Sequence, residues 1–505
     1  MKRLPMLLWL ACGSAAVAAV PGPAARPACP SETAEFPSYR SIEGNVSFWK
    51  RVFGEWSTTR VVVHDIDHPA VVYEVADLPG PAAEQYSAEQ REFVERLDER
   101  WRQSLRGLSR KVTDGTTLDE EEKRVALVVA TGAGTDALTG AADRVRTQRG
   151  MRERFRRGLE LAQRYDAAIR RILRERGLPE ELVFLPHVES SYRTDARSTA
   201  GAVGAWQFTR GAGRRFLRVG PALDERLDPI LAAYGAADYL ADAHRQLGDW
   251  ALALTAYNHG VNGMARAVAL HGGDYQQVLR HYSGRSFGFA SKNFYAEFLA
   301  AGEIACDPVR YFPEGLSPES PLDHERVALG ERTTAERIAE SYGVPLDRLA
   351  AINPAWTPRA IESRAPLPAG SSVWLPAGSL ADLARRGIGI EAAWERVPED
   401  DGVYVVRSGD TLTSIARRHG MTVDRLRAVN GMTNAQSVIH AGQRLRLSAG
   451  DEVLDAVVHV VRSGETLLRI ATIYGVRLGD LLALNGLTVD SVIHPGQRIR
   501  LPLGL

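Results

Sequence analysis

The pattern of apolar and polar positions divides the N-terminal part of the chain into two kinds of element. Between Phe36 and Asp77, two valine-rich runs of β-branched residues predict a short strand pair. From Ser87 to Arg110 and from Leu118 to Ala130, apolar residues recur at helical spacing among charged residues. We therefore expect the region 31–150 to be mostly helical.

Arginines are dense between Arg144 and Arg157, with Glu153 among them. Such a run can bind an anionic polymer, but mixed charges of this kind are more typical of a solvated helix face. We expect a charged helix face in this segment.

The C-terminal third contains an internal repeat. The run Val405 to Leu412 matches Val460 to Leu467 at an offset of 55 residues, and an Asn-Gly pair and a His-x-Gly-Gln run follow in both copies. Each copy reads as strand, helix, helix, strand. The repeat therefore predicts two small α+β modules, at 403–448 and 458–502.

A weaker third copy of the repeat lies at 324–376. Ile338 and Asn353 are in register with the full copies, but the G-[DE]-T-L opening is absent. This copy is expected to share the fold of the others, and its ability to bind the same ligand stays open. The Pro- and Gly-containing stretch 377–402 is expected to be a linker.

Composition and charge are those of a globular protein with several domains. A chain of 505 residues is too long for one ordinary core, and 45% hydrophobic with 25% charged residues is typical of globular proteins. Because 62 basic residues balance 62 acidic ones, the chain as a whole has no attraction for polyanions. Nucleic acid is not an expected partner.

Residues 1–20 have the pattern of an export signal, with two basic residues before an apolar run from Leu4 to Val20. Cleavage near Ala18 would secrete the protein, whereas a lipoprotein cut would leave an acylated Cys12 as a membrane anchor. Trp9 stands where a lipoprotein signal usually has a small aliphatic residue, so simple secretion is favoured. No other stretch is long and apolar enough to cross a membrane.

Two of the three cysteines, Cys29 and Cys306, remain after such a signal is removed. In an oxidising compartment they can form a disulfide that ties the mature N-terminus to a segment far along the chain. The alternative is two buried, unpaired thiols, because the sequence does not give their separation.

One carboxylate stands out on the helix expected to begin after Pro179. Leu182, Leu185 and Pro186 form an apolar stripe, and Glu189 falls on that stripe. Burial disfavours the charged form and raises a carboxyl pKa, as a general acid requires. By itself a glutamate on a helix is more often solvated or ion-paired, so the position alone is weak evidence.

Three sequence blocks accompany this glutamate. They are Glu189-Ser190, then Ser198 with Gly201 to Phe208, then Ala256 to Gly260. In this order they resemble the E-S, S-x-x-G-A-x-G-x-W-Q and A-Y-N-x-G motifs of the soluble lytic transglycosylase catalytic domain. The resemblance covers about residues 152 to 305 and implies a goose-lysozyme-like α-helical catalytic domain at 151–306.

The two full repeats resemble LysM domains, the peptidoglycan and chitin binding modules. The resemblance rests on the V-x-x-G-[DE]-T-L opening, the L-x-x-x-N-G centre and the H-x-G-Q-x-[LI] ending. Catalytic domain and repeats together resemble the family of membrane-bound lytic murein transglycosylase D. This implies a multidomain, mainly α protein with βααβ LysM modules. Its expected partner is peptidoglycan glycan strands in the periplasm, with the protein free or attached to the outer membrane as a lipoprotein.

The resemblance assigns catalysis to Glu189, the position of that family's single catalytic carboxylate, and substrate binding to Ser198, Gln207, Tyr257 and Asn258. Hydroxyl and amide groups orient N-acetylated sugars, and an aromatic ring offers a flat packing face. In the implied mechanism Glu189 protonates the oxygen between N-acetylmuramic acid and N-acetylglucosamine. It then accepts a proton from the muramic 6-hydroxyl, which attacks C1 and leaves a 1,6-anhydromuramic end. No metal or other cofactor is expected, since metal-ligand spacings such as HExxH are absent.

The run from Phe289 to Tyr295 departs from the family pattern. Many relatives have a glutamate-threonine pair a few residues before a tyrosine, and this run has none. The sequence therefore offers no second acidic contact with the glycan from this run.

Two other functions stay open at this level. A hydrolytic muramidase on the same scaffold would need a positioned water and a second acid, for which Asp195, Asp224 and Asp228 are candidates. A non-catalytic peptidoglycan-binding protein would use the LysM modules alone. A serine hydrolase built from Ser190 and His259 is disfavoured, because no G-x-S-x-G elbow surrounds the serine.

Overall fold

The fold is taken from a computed structural model, which describes residues 29–30, 33–81 and 83–385, and shorter stretches and single positions between 403 and 501. The predicted export signal with Cys12, and most of the predicted linker, lie outside the described residues. Among the described helices, none combines the length and apolar character needed to cross a membrane.

The N-terminal region combines helices with a three-stranded antiparallel sheet of order β2-β1-β3. Its elements are α1 (Glu43–Gly54), β1 (Arg60–Asp65), β2 (Val72–Asp77), α2 (Ala88–Thr113), α3 (Glu120–Ala133) and β3 (Val145–Arg149). The predicted strand pair and both predicted helices are therefore present. Capping boxes at Ser87 and Asp119 fix the starts of the helices, since each side chain accepts a backbone N–H of the first turn.

The arginine-rich segment is the clearest difference from the sequence prediction. Residues Val145–Arg149 form strand β3, which pairs with β1, and only the residues from Arg152 onward are helical. Arg144 donates to the buried carboxylate of Asp65 at 2.8 Å. The predicted charged helix face is therefore wrong for 144–149, because pairing with β1 overrides the local charge pattern.

Strand β1 has two buried faces, which joins the N-terminal region to the rest of the protein. Val61 and Val63 pack under α2 with Trp101, while Val62, on the opposite face, belongs to the main core. Side chains alternate across a strand, so one strand serves two cores. Helix α1 also packs against the helix Phe289–Cys306 of the central unit.

The central unit is helical and carries the main core. Its helices are α4 (Arg152–Ala162), α5 (Asp166–Glu175), α6 (Leu185–Ser190), α7 (Arg210–Phe216), α8 (Pro229–Leu247), α9 (Trp250–His259), α10 (Val261–His271), α11 (Tyr275–His281), α12 (Phe289–Cys306) and α13 (Pro308–Tyr311). Helices α8 and α9 contact each other, and both carry buried alanines such as Ala236 and Ala253. Small side chains let the helices approach closely, and this helical core agrees with the predicted lysozyme-like class.

A disulfide joins Cys29 to Cys306, with Cα atoms 6.0 Å apart, as the sequence allowed. The bond closes a segment with a sequence separation of 277 residues, which includes the N-terminal region and the central unit. It fixes Cys29 against the end of α12.

The weak repeat has the strand, helix, helix, strand order of the full repeats. Its elements are β4 (His324–Ala328), α14 (Ala335–Tyr342), α15 (Leu346–Ile352), a short α16 (Pro358–Ile361) and β5 (Ser372–Pro376), with β4 and β5 antiparallel. A further helix, α17 (Ser379–Arg385), follows where the linker was expected to begin.

The two full repeats show the same arrangement in their described parts. The first has β6 (Val403–Val405), α18 (Leu412–Arg418) and β7 (Arg444–Arg446), and the second has β8 (Val457–Val460) and β9 (Arg498–Leu501). In each repeat the first and last strands pair antiparallel, as the βααβ pattern requires.

Candidate active site

Glu189 lies near the end of α6, which continues a 3-10 turn at Glu180–Phe184. Leu182, Leu185 and Pro186 are buried, as the apolar stripe predicted. The helix stops at Ser191 and Tyr192, which both have left-handed backbone with φ of 54° and 59°. This abrupt stop leaves Glu189 in the last turn of the helix and partly exposed. We call the surroundings of this side chain, which include Tyr257 and Glu297, the cleft.

The surroundings of Glu189 favour its protonated form. Burial raises the pKa of Glu189 to about 8, and the nearby carboxyl of Glu297 acts in the same direction. A carboxyl with this pKa keeps its proton at neutral pH and can donate it to a leaving oxygen.

Glu297 is a residue of this cleft that the sequence interpretation missed. It lies on α12, which packs against α6, and burial raises its pKa also to about 8. The run Phe289 to Tyr295 offers no acidic group, as predicted, but the same helix supplies one shortly after it. The available signal was weak, because the position of a glutamate on a largely apolar helix does not reveal which neighbour its side chain faces.

The N-terminal sheet supplies a positive charge near Glu297. The Arg146 guanidinium, on β3, lies 4.2 Å from the centre of the Phe289 ring on α12, and its charge opposes the rise of the Glu297 pKa. His64, on β1, lies against Phe289 with ring centres 5.6 Å apart, and burial lowers the pKa of His64 to about 4. A neutral histidine and a charged arginine therefore face this part of α12.

Two hydrogen bonds join the three sequence blocks around Glu189. Ser190 Oγ donates to the carbonyl oxygen of Ala205 at 2.8 Å, which ties α6 to the 198–208 loop. The Tyr257 hydroxyl donates to the carbonyl oxygen of Trp206 at 2.9 Å, which ties the same loop to α9. Tertiary structure thus brings together blocks that are far apart in sequence.

The 198–208 loop owes its shape to its own polar groups and to two glycines. Ser198 Oγ accepts the Ala202 N–H at 3.0 Å, and Gln207 Nε2 donates to the carbonyl oxygen of Gly204 at 2.8 Å. Gly201 and Gly204 have φ of 77° and 79°. A Cβ on Gly204 would lie 1.9 Å from the backbone oxygen of Arg226, so this glycine allows a close approach within the protein.

The two predicted binding residues on α9 lie in different surroundings. Burial raises the pKa of Tyr257 well above its usual range, and the charge of Glu189 adds to this, so the two groups are close. Asn258 is exposed, and its Oδ1 accepts a hydrogen bond from Ser291 Oγ on α12 at 2.7 Å. Ser291 is therefore a further polar residue beside Asn258, which the sequence interpretation did not name.

The other candidate acids have structural partners. Asp195 is exposed and pairs with Arg193 at 3.3 Å, and Asp224 pairs with Arg226 at 2.7 Å. Asp228 is buried and caps α8, where its Oδ1 accepts the N–H groups of two residues of the first turn. None of these three carboxylates is in the environment of Glu189, whereas Glu297 is.

The histidines of the motif region pack against aromatic rings. His187 is buried, with the Tyr192 ring edge-on at 4.7 Å, and burial lowers the pKa of His187 to about 3. His259 contacts the rings of Tyr282 and Phe287, while Ser190 bonds to a backbone oxygen, so the two do not form a serine hydrolase pair. In the described part of the chain, no group of three His, Cys, Asp or Glu residues is arranged to hold a metal ion.

Comparison with known families agrees with the sequence blocks. The family model for the transglycosylase SLT domain matches residues 166–277, and the LysM model matches 404–448 and 459–502. The SLT match includes Glu189 and all three sequence blocks around it. The module at 324–376 lies outside both matches.

Curated relatives share parts of this architecture. The chain is 27% identical over 351 residues to membrane-bound lytic murein transglycosylase D of Escherichia coli K12, covering 65% of this chain and 74% of that protein. It is 34% identical over 112 residues to the N-acetylmuramoyl-L-alanine amidase sle1 of Staphylococcus epidermidis, covering 20% of this chain and 34% of that protein. Among solved structures, the spore cortex-lytic enzyme SleL of Bacillus cereus is 32% identical over 20% of this chain and 22% of its own, with a TM-score of 0.10.

Proposed function

We propose that the chain is a lytic transglycosylase whose LysM domains bind peptidoglycan, and that Glu189 is its single catalytic acid and base. The observation that carries this proposal is the raised pKa of Glu189, about 8, in a cleft where the three transglycosylase sequence blocks meet. The bond cleaved is the β-1,4 bond between N-acetylmuramic acid and N-acetylglucosamine.

In the proposed reaction, protonated Glu189 donates its proton to the glycosidic oxygen as the bond to C1 breaks. The carboxylate then accepts the proton of the muramic 6-hydroxyl, whose oxygen attacks C1 of the same sugar. Atoms balance without water, and the product carries a 1,6-anhydro ring. The attacking hydroxyl belongs to the substrate itself, so no second carboxylate is needed to activate a nucleophile.

We assign substrate binding to the four residues that surround this step. Asn258 is exposed and can reach an acetamido group, and Tyr257 stands next to Glu189. Ser198 and Gln207 hold the 198–208 loop in shape, so we propose that they act on the glycan mainly through the loop.

A second candidate function, hydrolysis, is favoured by one observation. Glu297 is a second carboxyl near Glu189, and most hydrolytic glycosidases use a pair of carboxyl groups for catalysis. With a water molecule between them, the products would be ordinary reducing ends.

Product mass separates the two reactions. Purified peptidoglycan is digested with the full chain and the released muropeptides are weighed by mass spectrometry. We expect muramic ends lighter by one water than those from a hydrolytic muramidase. Ends that can be reduced with borohydride would show hydrolysis and overturn the transglycosylase mechanism.

The protein acts in the bacterial envelope, and we propose a periplasmic location after removal of residues 1–20. The disulfide between Cys29 and Cys306 supports an oxidising compartment. The mass of the mature N-terminal peptide distinguishes simple secretion from acylation of Cys12, since lipid adds a defined mass to that cysteine.

A further inference from the structure

The module at 324–376 shares a hydrophobic core with the catalytic domain. Leu223 and Leu231 of the catalytic domain lie in one buried cluster with Val327, Leu349 and Leu375 of the module. A module on a flexible linker would bury its own core only. This one is docked, and we call it the docked module.

Polar contacts fix the docked module to one catalytic-domain segment, 218–231. The Asp224 N–H donates to the carbonyl oxygen of Ala355 at 2.8 Å, and the Thr357 hydroxyl donates to that of Pro221 at 2.6 Å. Arg218 donates to the carbonyl oxygen of Ala369 at 2.8 Å. The segment therefore bonds to two separate parts of the module, 355–357 and Ala369, which fixes the orientation of the module as well as its position.

Trp374 of the docked module packs against the main core as well as against the cluster of its own module. Its indole N–H donates to Oδ2 of the buried Asp228 at 2.6 Å. Its backbone is held on both sides by Asn353, whose side chain accepts the Trp374 N–H and donates to the Trp374 carbonyl, each at 2.8 Å. Contacts within its own module therefore fix the backbone of Trp374, and its side chain contacts the catalytic domain.

The chain's own repeats show that a tryptophan here is specific to the docked module. Strand pairing aligns Val373 with Leu445, and the next position is Trp374 in the docked module but Arg446 in the first full repeat. The second full repeat has Arg500 at the same place in its Arg-Ile-Arg-Leu strand. The two modules matched as LysM therefore share an arginine where the docked one has a docking residue.

From Asp228, hydrogen bonds continue to the catalytic cleft. Asp228 caps α8, and the carbonyl oxygen of Pro229 in the first turn accepts the Trp206 indole N–H at 3.0 Å. The carbonyl oxygen of Trp206 in turn accepts the Tyr257 hydroxyl, next to Glu189. The indole N–H of Trp206 is therefore bonded to the segment that the docked module contacts. Its carbonyl oxygen is bonded to Tyr257 in the cleft.

We propose that the docked module is a fixed part of the catalytic domain and that Trp374 is a positioning residue, which holds Trp206 and the 198–208 loop through Asp228. In this proposal the docked module supports the catalytic domain and does not tether the enzyme to glycan. The inference goes beyond the proposed function, because it concerns how the cleft is held and not which bond is cleaved.

The test compares two tryptophan variants of the full chain. Trp374→Phe removes the hydrogen bond to Asp228, whereas Trp356→Phe makes the same replacement at a buried tryptophan of the same module whose indole N–H has no hydrogen-bond partner. Three quantities are measured: kcat and KM on soluble glycans, binding to insoluble sacculi, and the indole N–H signal of Trp206 by NMR of the tryptophan-labelled protein.

We expect Trp374→Phe to shift the Trp206 signal and to lower kcat by about tenfold, with a smaller change in KM and unchanged binding to sacculi. Trp356→Phe should leave the Trp206 signal in place. If Trp374→Phe does not fold, Asp228→Asn serves instead: its Oδ1 still caps α8, but its amide cannot accept the indole N–H.

Two results would overturn the proposal. In the first, Trp374→Phe changes the Trp206 signal and kcat no more than Trp356→Phe does. The other is weaker binding to sacculi with kcat unchanged, which would make the docked module a glycan-binding module. Because the NMR signal does not depend on the reaction, failure of the proposed chemistry would leave this readout intact.

Discussion

At the residue scale, the cleft contains two carboxyls that both hold protons more tightly than usual. Burial raises the pKa of Glu189 and of Glu297 to about 8, and the charge of Glu297 adds to the effect on Glu189. The charge of Glu189 also acts on Tyr257 and Tyr239, and Arg146 is the cation near Glu297. We therefore expect the pH range of activity to depend on this group of residues.

Replacement of Glu189 by glutamine should abolish activity and stabilise the protein. The folded-state pKa of Glu189 is raised, so between the unfolded value of 4.5 and about 8 the folded state binds the extra proton. Stability contributed by this group is therefore lost as pH rises through that window. A glutamine side chain is neutral at every pH, so the variant avoids this loss of stability. Because glutamine cannot donate a proton to the glycosidic oxygen, we expect glycan release to fall by at least about 100-fold.

The same variant should show a Tm gain that grows with pH. We expect little difference from the native chain at pH 5 and a Tm higher by about 5 °C at pH 8. Differential scanning calorimetry at both pH values measures this. A gain that is equal at pH 5 and pH 8 would mean that Glu189 is not held protonated by the fold.

Replacement of Glu297 by glutamine should move the high-pH limb of the activity profile to lower pH. The nearby carboxyl raises the pKa of Glu189, so its removal lets Glu189 lose its proton earlier. At pH 5 to 6 the variant should keep kcat/KM within about tenfold of the native chain, because Glu297 is not the proton donor in the proposed reaction.

The matched control is Glu303→Gln on the same helix, where Glu303 pairs with Lys50 at 2.8 Å and is not among the groups acting on Glu189. Its activity limb should stay in place. If Glu297→Gln instead removes activity at every pH while the fold is kept, Glu297 takes part in the chemistry, and the hydrolytic alternative gains support.

At the element scale, the 198–208 loop depends on Gly204 more than on Gly201. Both glycines have left-handed backbone, which costs an alanine about 1–3 kcal/mol. Only at Gly204 would a Cβ also meet a backbone oxygen, that of Arg226, at 1.9 Å. We expect Gly204→Ala to lower the free energy of unfolding by more than Gly201→Ala and to reduce kcat with it.

Urea unfolding and soluble-glycan kinetics of the two variants measure this difference. Gly201→Ala is the control for backbone strain alone, because open space surrounds its Cβ. Equal losses at the two positions would mean that the approach of the loop to Arg226 contributes nothing.

At the scale of the whole molecule, we expect the full repeats to act as tethers and the docked module to act as part of the catalytic domain. Deletion of Val403 to Leu505 should weaken binding to insoluble sacculi by at least about tenfold, since linked binding modules raise the local concentration of a fixed polymer. Activity on short soluble glycans should stay within about twofold, because none of the described contacts of the cleft comes from that region.

Pull-down with sacculi and kinetics on soluble glycans measure the two effects separately. The matched control is the full chain with Trp356→Phe, which keeps both tethers. Equal retention of the truncated and full chains on sacculi would contradict the tether role.

The sequence by itself determined the modular order, the helical character of the catalytic domain, the βααβ repeats and the choice of Glu189 as the candidate acid. The helices and repeats rest on local features, since helical periodicity and turn residues act over short distances along the chain. The choice of Glu189 rests on the resemblance of its motifs to a known family. The disulfide was allowed by the sequence, and the structure decided it by bringing Cys29 to Cys306.

Only the tertiary structure decided which distant groups meet. Strand β3 formed from an arginine-rich run because β1 was there to pair with it. Glu297 became a neighbour of Glu189 because α12 packs on α6, and Trp374 found Asp228 because its module docked on the catalytic domain. Such contacts depend on packing between elements, and a single chain's local pattern carries no record of the partner that a buried side chain will face.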